Sequence, residues 1–88
     1  MPSYTVIIGR TAQRRIGALQ QDMRRRIVTA IDELATTPRP PNGRPLAGHN
    51  DVWRVRVGNY RIIYEIDDSV ATVTVTRVAH RREAYRGL

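Results

Sequence analysis

Residues 52–64 read Val-Trp-Arg-Val-Arg-Val-Gly-Asn-Tyr-Arg-Ile-Ile-Tyr, and this stretch predicts a tight β-hairpin. Gly58 and Asn59 form a two-residue turn signal between two runs of β-branched and aromatic residues. A two-residue loop sets the register of the two strands, so Arg56 is expected opposite Arg61. The other expected pairs are Val57 with Tyr60, Val55 with Ile62 and Trp53 with Tyr64.

Strand alternation divides the predicted hairpin into two faces. One face is apolar and aromatic and is expected to join the core: Trp53, Val55, Val57, Tyr60, Ile62 and Tyr64. The other face presents Arg54, Arg56 and Arg61 with one large apolar residue, Ile63. Like charges opposed across a ladder cost roughly 0.2–1 kcal/mol. A lone strand arginine is usually an ordinary solvated side chain, but three on one face favour an anion-binding surface.

The composition predicts one small domain over residues 1–88, with 41% hydrophobic residues. Cysteine is absent from the sequence, which excludes a disulfide framework and a thiolate metal site. A strand pattern starts at Tyr4, so no signal peptide is expected. No apolar run approaches the ~20 residues that span a membrane. We therefore expect a cytoplasmic protein with no membrane partner.

The formal net charge is +7, and all 15 basic residues are arginine. Codon bias in a GC-rich genome explains the missing lysine, but the chemical consequence is the same. Arginine holds phosphate with a planar fork of donors and stays charged near neutral pH. A small basic domain without a membrane signature indicates nucleic acid as the first partner to consider, although charge alone supports only nonspecific binding.

The start of the chain predicts a short strand followed by a helix. Residues 4–8 form the strand, which Gly9 breaks. Thr11 can cap a helix that runs through about Gln20. The apolar residues of this helix lie at helical spacing: Ala12, Ile16 and Leu19. Gly17 weakens the helix, so we expect packing against other elements to hold it.

A second helix is expected after Asp22, which is positioned as its N-cap. An apolar stripe indicates this helix: Met23, Ile27, Ala30, Ile31 and Leu34. It should end near Thr36, because Pro38 disfavours helix at the residue before it. The two helices predict an αα-hairpin laid on a sheet. Six arginines lie off the apolar stripes, and we expect their side chains either to be solvated or to contact a polyanion: Arg10, Arg14, Arg15, Arg24, Arg25 and Arg26.

The remaining segments complete an α+β fold. Residues 39–45 are expected to be a loop, Leu46 to anchor its far end on the core, and His49 to be an ordinary exposed loop histidine. Asp67 and Asp68 predict a second hairpin turn. The pairs expected there are Ile66 with Ser69, Tyr64 with Ala71, Ile62 with Val73 and Tyr60 with Val75. The predicted order is an N-terminal strand, an αα-hairpin, a three-stranded antiparallel meander and a short C-terminal helical turn.

The predicted topology brings chemistry-bearing residues to one end of the sheet. The hairpin turn lies there and the third meander strand ends there, so these residues should cluster: Arg56, Arg61, His80, Arg81 and Tyr85, with Arg54 about two residues farther down its strand. The cluster holds no carboxylate pair, so a metal site is not expected. No glycine-rich loop of a nucleotide-binding pattern follows the first strand, and we expect no cofactor. The cluster suits metal-free phosphodiester cleavage, in which a base activates the ribose 2′-hydroxyl and an acid protonates the leaving 5′-oxygen. The arginines would stabilise the charge that develops on phosphorus.

The order of these motifs closely resembles the RelE/ParE superfamily of bacterial toxins over nearly the whole chain. The most specific parts are residues 56–64, Arg-Val-Gly-Asn-Tyr-Arg-Ile-Ile-Tyr, and His80-Arg81 with a tyrosine four residues after the arginine. The RelE branch cleaves messenger RNA in the decoding site of the ribosome, and the ParE branch shares the fold but poisons DNA gyrase. The resemblance implies a RelE-like fold and the toxin of a type II toxin–antitoxin system.

The resemblance also implies roles for single residues. Arg54 and Arg56 match the paired basic residues that hold RNA before the hairpin turn, where the family typically has lysine. Arg61 matches the arginine that stabilises the transition state. Arg81 matches the basic residue assigned to leaving-group protonation or charge stabilisation. Tyr85 matches the C-terminal tyrosine proposed as general base.

The identity of the general acid stays open. Arginine hardly gives up its proton, whereas His80 offers an imidazole, whose unperturbed pKa is ~6.5. Some relatives use a histidine adjacent to a tyrosine. Strand alternation points His80 and Arg81 to opposite faces, so the alternative for His80 is a structural or orienting role. Tyr85 either acts as the base or only staples the tail to the core.

These implications give a primary hypothesis and two alternatives. The primary one is a ribosome-dependent endoribonuclease that cuts messenger RNA and is covered by a cognate acidic antitoxin. The helix arginines would then grip ribosomal RNA. Contact with operator DNA is expected only through the antitoxin, and the toxin alone is expected to be a monomer. The alternatives are a ParE-like gyrase inhibitor without nuclease activity and an inert nucleic-acid-binding relative.

Overall fold

Two helices lie against one five-stranded sheet in the computed structural model, which describes residues 3–87 except for the side chains of residues 49 and 50. The elements follow in the order β1 (Thr5–Ile8), α1 (Arg10–Gly17), α2 (Gln21–Glu33), β2 (Gly43–Leu46), β3 (His49–Val57), β4 (Tyr60–Asp67) and β5 (Thr72–His80). The sheet order is β1-β5-β4-β3-β2, with β1 parallel to β5 and the other neighbours antiparallel. The predicted α+β class is confirmed, with β2 as a strand beyond the predicted meander.

The β3–β4 hairpin has the predicted register. Gly58 and Asn59 form its turn, and Arg56 lies opposite Arg61. The other predicted pairs are present as well: Val57 with Tyr60, Val55 with Ile62 and Trp53 with Tyr64. Gly58 has a φ of +57°, which glycine adopts without steric cost at the first central position of a hairpin turn. The two-residue turn signal was therefore sufficient to set the pairing of both strands.

The predicted register of the β4–β5 hairpin is wrong, because its loop is longer than the predicted turn at Asp67-Asp68. Asp67 pairs with Thr72, and residues 68–71 form the loop. A β-bulge next to Ile63 and Tyr64 then shifts the register further. The observed pairs are Ile66 with Val73, Tyr64 with Val75, Ile62 with Val78 and Tyr60 with His80. The partner shifts by four positions for Ile66 and Tyr64 and by five for Ile62 and Tyr60. The extra residue of the bulge accounts for the odd shift, so the apolar residues still share one face.

Both helices begin before their predicted caps. The N-cap of α1 is Gly9 rather than Thr11, and the N-cap of α2 is Gln20 rather than Asp22. Gly9 has no side chain that could cap α1, and the side chain of Gln20 makes no capping hydrogen bond to α2. Asp22 lies instead in the first turn of α2, where a negative charge complements the helix dipole. The helix ends at Glu33 and continues as a turn, which agrees with the predicted end to within a few residues.

Arg24 ties the connection between the two helices together. Its guanidinium donates hydrogen bonds to the carbonyl oxygens of Ile16 at 3.3 Å, Gly17 at 3.2 Å and Leu19 at 2.9 Å. α1 ends at Gly17, earlier than the predicted Gln20, and the Ile16 oxygen also accepts a hydrogen bond from the backbone N–H of Leu19 at 3.2 Å. Arg24 supplements the hydrogen bonding at the end of the helix. Arg24 therefore has a structural role, which neither solvation nor polyanion contact describes.

The prediction of a loop over residues 39–45 is wrong for its second half, which belongs to β2. Backbone pairs join Gly43 with Val55, Arg44 with Arg54 and Pro45 with Trp53. A proline is tolerated in an edge strand such as β2. The strand β3 also starts at His49, where a loop was predicted. Whether the His49 side chain is exposed, as predicted, lies outside the described residues.

The helices cover one face of the sheet and leave the other open. The main buried cluster joins the apolar stripes of the helices to the predicted core face: Ala12, Ile16, Leu19, Ile27, Ile31, Leu34, Val55, Val57, Ile62, Tyr64, Ile66, Val73, Val75 and Val78. Trp53 and Tyr60 pack against this cluster. A small second cluster of Ile63, Ala79 and Ala84 is also buried. Within residues 3–87, no helix is long and apolar enough to cross a membrane.

Polar contacts tie the proline-rich segment before β2 to the sheet, at the end away from Gly58. The buried phenol of Tyr64 donates a hydrogen bond to the Pro38 carbonyl oxygen at 2.7 Å, and burial raises the pKa of Tyr64 well above its usual range. Arg39 grips the Asp68 carboxylate with two nitrogens, at 2.9 and 3.3 Å. The Tyr4 hydroxyl donates to the same carboxylate at 2.5 Å. These hydrogen bonds hold the pKa of Asp68 below its usual range.

Candidate functional site

The helix-free face of the sheet carries two facing pairs of arginines. Arg56 lies opposite Arg61 across β3 and β4, and Arg44 lies opposite Arg54 across β2 and β3. Directly opposed residues share a face, and so do residues two apart in one strand. We call this surface the arginine face. It contains the three arginines that the sequence placed together, with Arg44 as a fourth member that the loop prediction had left out.

Arg61 directs its guanidinium back towards the hairpin turn. Its Nη1 donates hydrogen bonds to the carbonyl oxygens of Tyr60 at 3.0 Å and Gly58 at 3.4 Å. Its remaining N–H groups make no hydrogen bond within residues 3–87. Arg56, its neighbour across the strands, is exposed, and no ion pair joins either side chain in the described part of the chain. Both guanidinium groups therefore keep donors available for an external phosphate.

The C-terminal tail after β5 docks on the arginine face. Ala84 is fully buried against Ile63 and Ala79, and these two residues lie in register with Arg54 and Arg61. The tail itself consists of hydrogen-bonded turns from Arg81 onward.

Arg77 of β5 holds this tail in place. Its Nη1 donates hydrogen bonds to the carbonyl oxygens of Ala84 at 2.9 Å and Arg86 at 2.7 Å. Tyr85 lies between these two anchored residues, and 40% of its surface is exposed. The backbone on both sides of Tyr85 is thus tied to the sheet, while its ring stays accessible to solvent.

The strand β5 ends at His80, at the same end of the sheet as the hairpin turn. His80 lies opposite Tyr60 on the helix side of the sheet, with its ring edge-on and the two ring centroids 5.7 Å apart. Its Nδ1 accepts a hydrogen bond from the backbone N–H of Arg82 at 3.4 Å. Arg81 donates its backbone N–H to the Asn59 carbonyl oxygen at 2.7 Å and is exposed. The fold therefore brings Arg81 to the turn and packs the His80 ring away from the arginine face.

These positions assemble a cationic surface beside a docked tail that carries an exposed tyrosine. Within the described residues, no group of three or more histidine, aspartate and glutamate side chains is arranged to hold a metal. The surface can bind a phosphodiester through Arg54, Arg56 and Arg61. The tail docked on this face carries Tyr85, and tyrosine is a residue type that can move protons.

Known proteins resemble this chain in both sequence and structure. Residues 6–85 match the model of a family described as the ParE toxin of the type II toxin–antitoxin system parDE. The chain is 37% identical over 87 residues to Toxin RelG of Mycobacterium tuberculosis (strain ATCC 25618 / H37Rv), which spans 94% of this chain and 97% of that protein. The chain belongs to the RelE/ParE superfamily of type II toxin–antitoxin toxins.

Two solved complexes show the same fold as this RelE/ParE toxin. The archaeal RelE–RelB complex from Pyrococcus horikoshii OT3 matches with a TM-score of 0.82 and 25% identity, over 93% of this chain and 99% of that one. The toxin–antitoxin complex RelBE2 from Mycobacterium tuberculosis matches with a TM-score of 0.65 and 35% identity, over 92% and 100% of the two chains. The family resemblance inferred from the hairpin and tail motifs is confirmed.

Two residues at the site of this RelE/ParE toxin escaped the sequence interpretation. Arg44 was not predicted as a site residue because its short, proline-containing strand resembles a loop in sequence. In sequence, Arg77 cannot be distinguished from a solvated arginine in a strand. Its contacts with the tail exist only because the tail folds back onto β5. No local sequence signal for Arg77 exists, because its partners are backbone carbonyls.

Proposed function

We propose that this toxin is a ribosome-dependent endoribonuclease that cuts messenger RNA in the cytoplasm without a metal ion. The observation that carries the proposal is the pairing of Arg56 with Arg61 on the helix-free face, beside the docked tail that holds Tyr85. Two opposed guanidinium groups without internal ion pairs are unfavourable unless an anion lies between or above them. A backbone phosphate of RNA supplies that anion.

The proposed reaction is a transesterification within the RNA. Tyr85, as its phenolate, removes the proton of the ribose 2′-hydroxyl, and the 2′-oxygen attacks the adjacent phosphorus. The bond from phosphorus to the 5′-oxygen breaks, and an acid returns a proton to that oxygen. Arg61, Arg56 and Arg54 stabilise the charge on the phosphoryl oxygens. The products are a 2′,3′-cyclic phosphate and a 5′-hydroxyl, so no external co-reactant is needed.

Two residues remain candidates for the acid. Arg81 lies beside the hairpin turn, joined to Asn59, and its exposed guanidinium can stabilise the leaving oxygen or protonate it. His80 has the better acid chemistry, but its ring packs against Tyr60 on the helix side. The geometry favours Arg81 in contact with the phosphodiester and His80 as a positioning residue.

A cognate antitoxin is the proposed protein partner. The similar proteins from Pyrococcus horikoshii and Mycobacterium tuberculosis were solved as complexes of toxin and antitoxin. The net charge of +7 favours an acidic antitoxin segment that covers the arginine face. Such a cover would block RNA by occupying the same donors.

A gyrase inhibitor is the second candidate, because the matching family model describes a ParE toxin. The two functions require different features of the arginine face. A nuclease needs donors at the scissile phosphate and a proton-moving group, whereas an inhibitor of a protein target needs only a complementary surface. The presence of Arg61 and Arg81 at the hairpin turn, with Tyr85 in the tail docked on the same sheet, favours the nuclease.

Primer extension on ribosome-bound message tests the proposal directly. The wild-type protein should give cleavage linked to codons in the ribosomal decoding site. Arg61→Gln should lower the single-turnover cleavage rate by about 10²–10³, as expected for loss of one transition-state donor. Arg14→Gln removes the same charge from an exposed position on α1. At saturating ribosome concentration, where a contact with ribosomal RNA no longer limits the reaction, it should leave the rate nearly unchanged.

Two further observations decide between the candidates. Absence of codon-linked cleavage by the wild-type protein would refute the nuclease function. A parallel gyrase assay that showed blocked supercoiling would then support the inhibitor. Arg61→Lys tests the planar fork, because lysine keeps the charge but not the bidentate geometry. Circular dichroism of each variant shows whether the fold is retained.

A further inference from the structure

Arg26 reaches the hairpin turn from the helix layer. A Cβ built on Gly58 would lie 3.3 Å from Nη1 and 3.5 Å from Nη2 of Arg26, and 3.1 Å from the methyl group of Met23. The guanidinium of Arg26 therefore lies against the α-carbon of Gly58. Arg61, from the sheet, holds the carbonyl oxygen of the same glycine at 3.4 Å. Two guanidinium groups from different layers thus flank one residue that has no side chain.

A third arginine meets the same turn through the tail. Arg81 donates its backbone N–H to the carbonyl oxygen of Asn59 at 2.7 Å, and its side chain is exposed. Arginines from α2, β4 and the tail therefore meet at one two-residue turn. Their convergence concentrates positive charge around the tip of the hairpin.

Arg26 has no internal role that explains its position. Its neighbour Arg24 satisfies three backbone carbonyls. Arg26 is exposed and makes neither a hydrogen bond nor an ion pair within residues 3–87. Placing its charge near Arg61 is unfavourable without an anion, since like charges at close range repel. An external anion at the turn removes that penalty.

The charge distribution also favours an anion at the hairpin turn. Four carboxylate residues line a depression at the opposite end of the sheet: Asp51, Glu65, Asp67 and Asp68. The molecule is therefore negative at one end and strongly positive around the Gly58-Asn59 turn. A polyanion is repelled from the first end and steered to the second.

We propose that Arg26 binds a second backbone phosphate of single-stranded RNA, next to the phosphate held by Arg56 and Arg61, so that the RNA passes around the hairpin turn. The inference rests on the proposed function for its RNA substrate. Gly58 allows this path because it places no side chain between the RNA and the guanidinium of Arg26. Arg26 is a binding and positioning residue, and the bond-breaking step takes place on the arginine face.

The salt dependence of RNA binding tests the proposal without relying on cleavage. The probe is a short single-stranded RNA with 2′-O-methyl groups, which cannot be cut through the 2′-oxygen. Loss of one phosphate contact should reduce the slope of log affinity against log salt by about 0.7. If the wild type and Arg26→Gln bind the probe equally well at about 1 M salt, Arg26→Gln should bind it about fivefold more weakly at about 0.1 M salt. Arg26→Lys should keep the wild-type slope, and Arg14→Gln serves as the charge-matched control.

Several results would overturn the inference, and the cleavage assay distinguishes them from failure of the proposed function. Equal slopes for the wild type and Arg26→Gln, or no measurable binding of the probe by the wild type, would exclude the second phosphate contact. If Arg26→Gln bound the probe normally but lost affinity for ribosomes without message, the phosphate would belong to ribosomal RNA and the proposal would be wrong. Normal message cleavage with an unchanged slope would refute this inference alone. A reduced slope without any cleavage by the wild type would refute only the nuclease function.

Discussion

The Nη1 atom of Arg77 holds the carbonyl oxygen of Ala84 at 2.9 Å. The same nitrogen reaches the carbonyl oxygen of Arg86 at 2.7 Å, so one guanidinium secures the backbone on both sides of Tyr85. Ala84 is fully buried, which anchors the tail through packing as well. A residue in the middle of β5 therefore determines where the C-terminal tyrosine lies relative to the arginine face.

Replacing Arg77 should loosen the tail without disturbing the core. Arg77→Met removes two charge-assisted hydrogen bonds, and we expect the free energy of unfolding to fall by about 1–2 kcal/mol. Amide hydrogen exchange in residues 84–87 should become faster while exchange in β3 and β4 is unchanged. Arg86→Met removes the same charge but keeps the carbonyl acceptor, so it should leave tail exchange at the wild-type rate. Wild-type exchange in Arg77→Met would contradict the anchoring role.

Gly58→Ala should destabilise the hairpin more than Gly48→Ala. Both glycines have positive φ, +57° and +78°, so both substitutions carry a conformational cost of about 1–2 kcal/mol. A Cβ at Gly58 would also lie 3.1 Å from the methyl group of Met23, whereas a Cβ at Gly48 meets no described atom within 4 Å. The midpoints of urea unfolding for the two variants measure the difference. Equal midpoints would show that Met23 and Arg26 move aside freely.

Local turn chemistry explains why the first hairpin was predictable and the second was not. Gly58 fits a two-residue turn and leaves one register, which the structure has. Asp67 and Asp68 have no such preference. The loop there extends to Ala71, a non-glycine residue with a φ of 51°, and a bulge follows inside the strand. Neither feature has a strong sequence signal, because both depend on packing of the whole sheet.

The candidate site divides in the same way. Arg54, Arg56 and Arg61 could be placed on one face because strand alternation is a local property. The positions of Arg44 and Arg77 required knowledge of contacts distant in sequence, from β2 to β3 and from β5 to the tail. The residues that sequence patterns missed were therefore those whose positions depend on pairing between segments distant in the chain.

The ion pair of Arg39 with Asp68 should make stability depend on pH in the acid range. Hydrogen bonds from Arg39 and Tyr4 lower the pKa of Asp68 in the folded state. The stabilisation is therefore complete above the unfolded value of about 3.9 and is lost as pH falls through the folded value. Asp68→Asn should be less stable than the wild type at pH 7, and the two should converge below the folded pKa. Asp32→Asn, which removes an exposed carboxylate from α2, controls for net charge. A stability difference that stayed constant down to strongly acid pH would exclude the linkage.

Gly17→Ala should stabilise the protein. Gly17 is the last residue of α1, its φ is not positive, and a Cβ there would meet nothing within 4 Å. Alanine restricts the unfolded chain more than glycine, so we expect a gain of about 0.4–1 kcal/mol. Thermal unfolding should shift upward by roughly 2–8 °C for a domain of this size. A lower melting temperature would show that Arg24 needs a flexible carbonyl at this position.

The opposite faces of His80 and Arg81 predict different effects on cleavage. Arg81 lies at the turn with its guanidinium exposed, so Arg81→Ala should lower the single-turnover rate by about 10²–10³ if it stabilises the leaving oxygen. The His80 ring packs edge-on against Tyr60 and accepts a hydrogen bond from the Arg82 backbone. His80→Gln should therefore act mainly on the melting temperature and change the rate at saturating ribosome concentration by less than about tenfold. His80→Asn retains an acceptor closer to the position of Nδ1 than His80→Gln does, and it should recover part of the lost stability. A hundredfold loss of rate in His80→Gln with an unchanged melting temperature would instead assign the acid to His80.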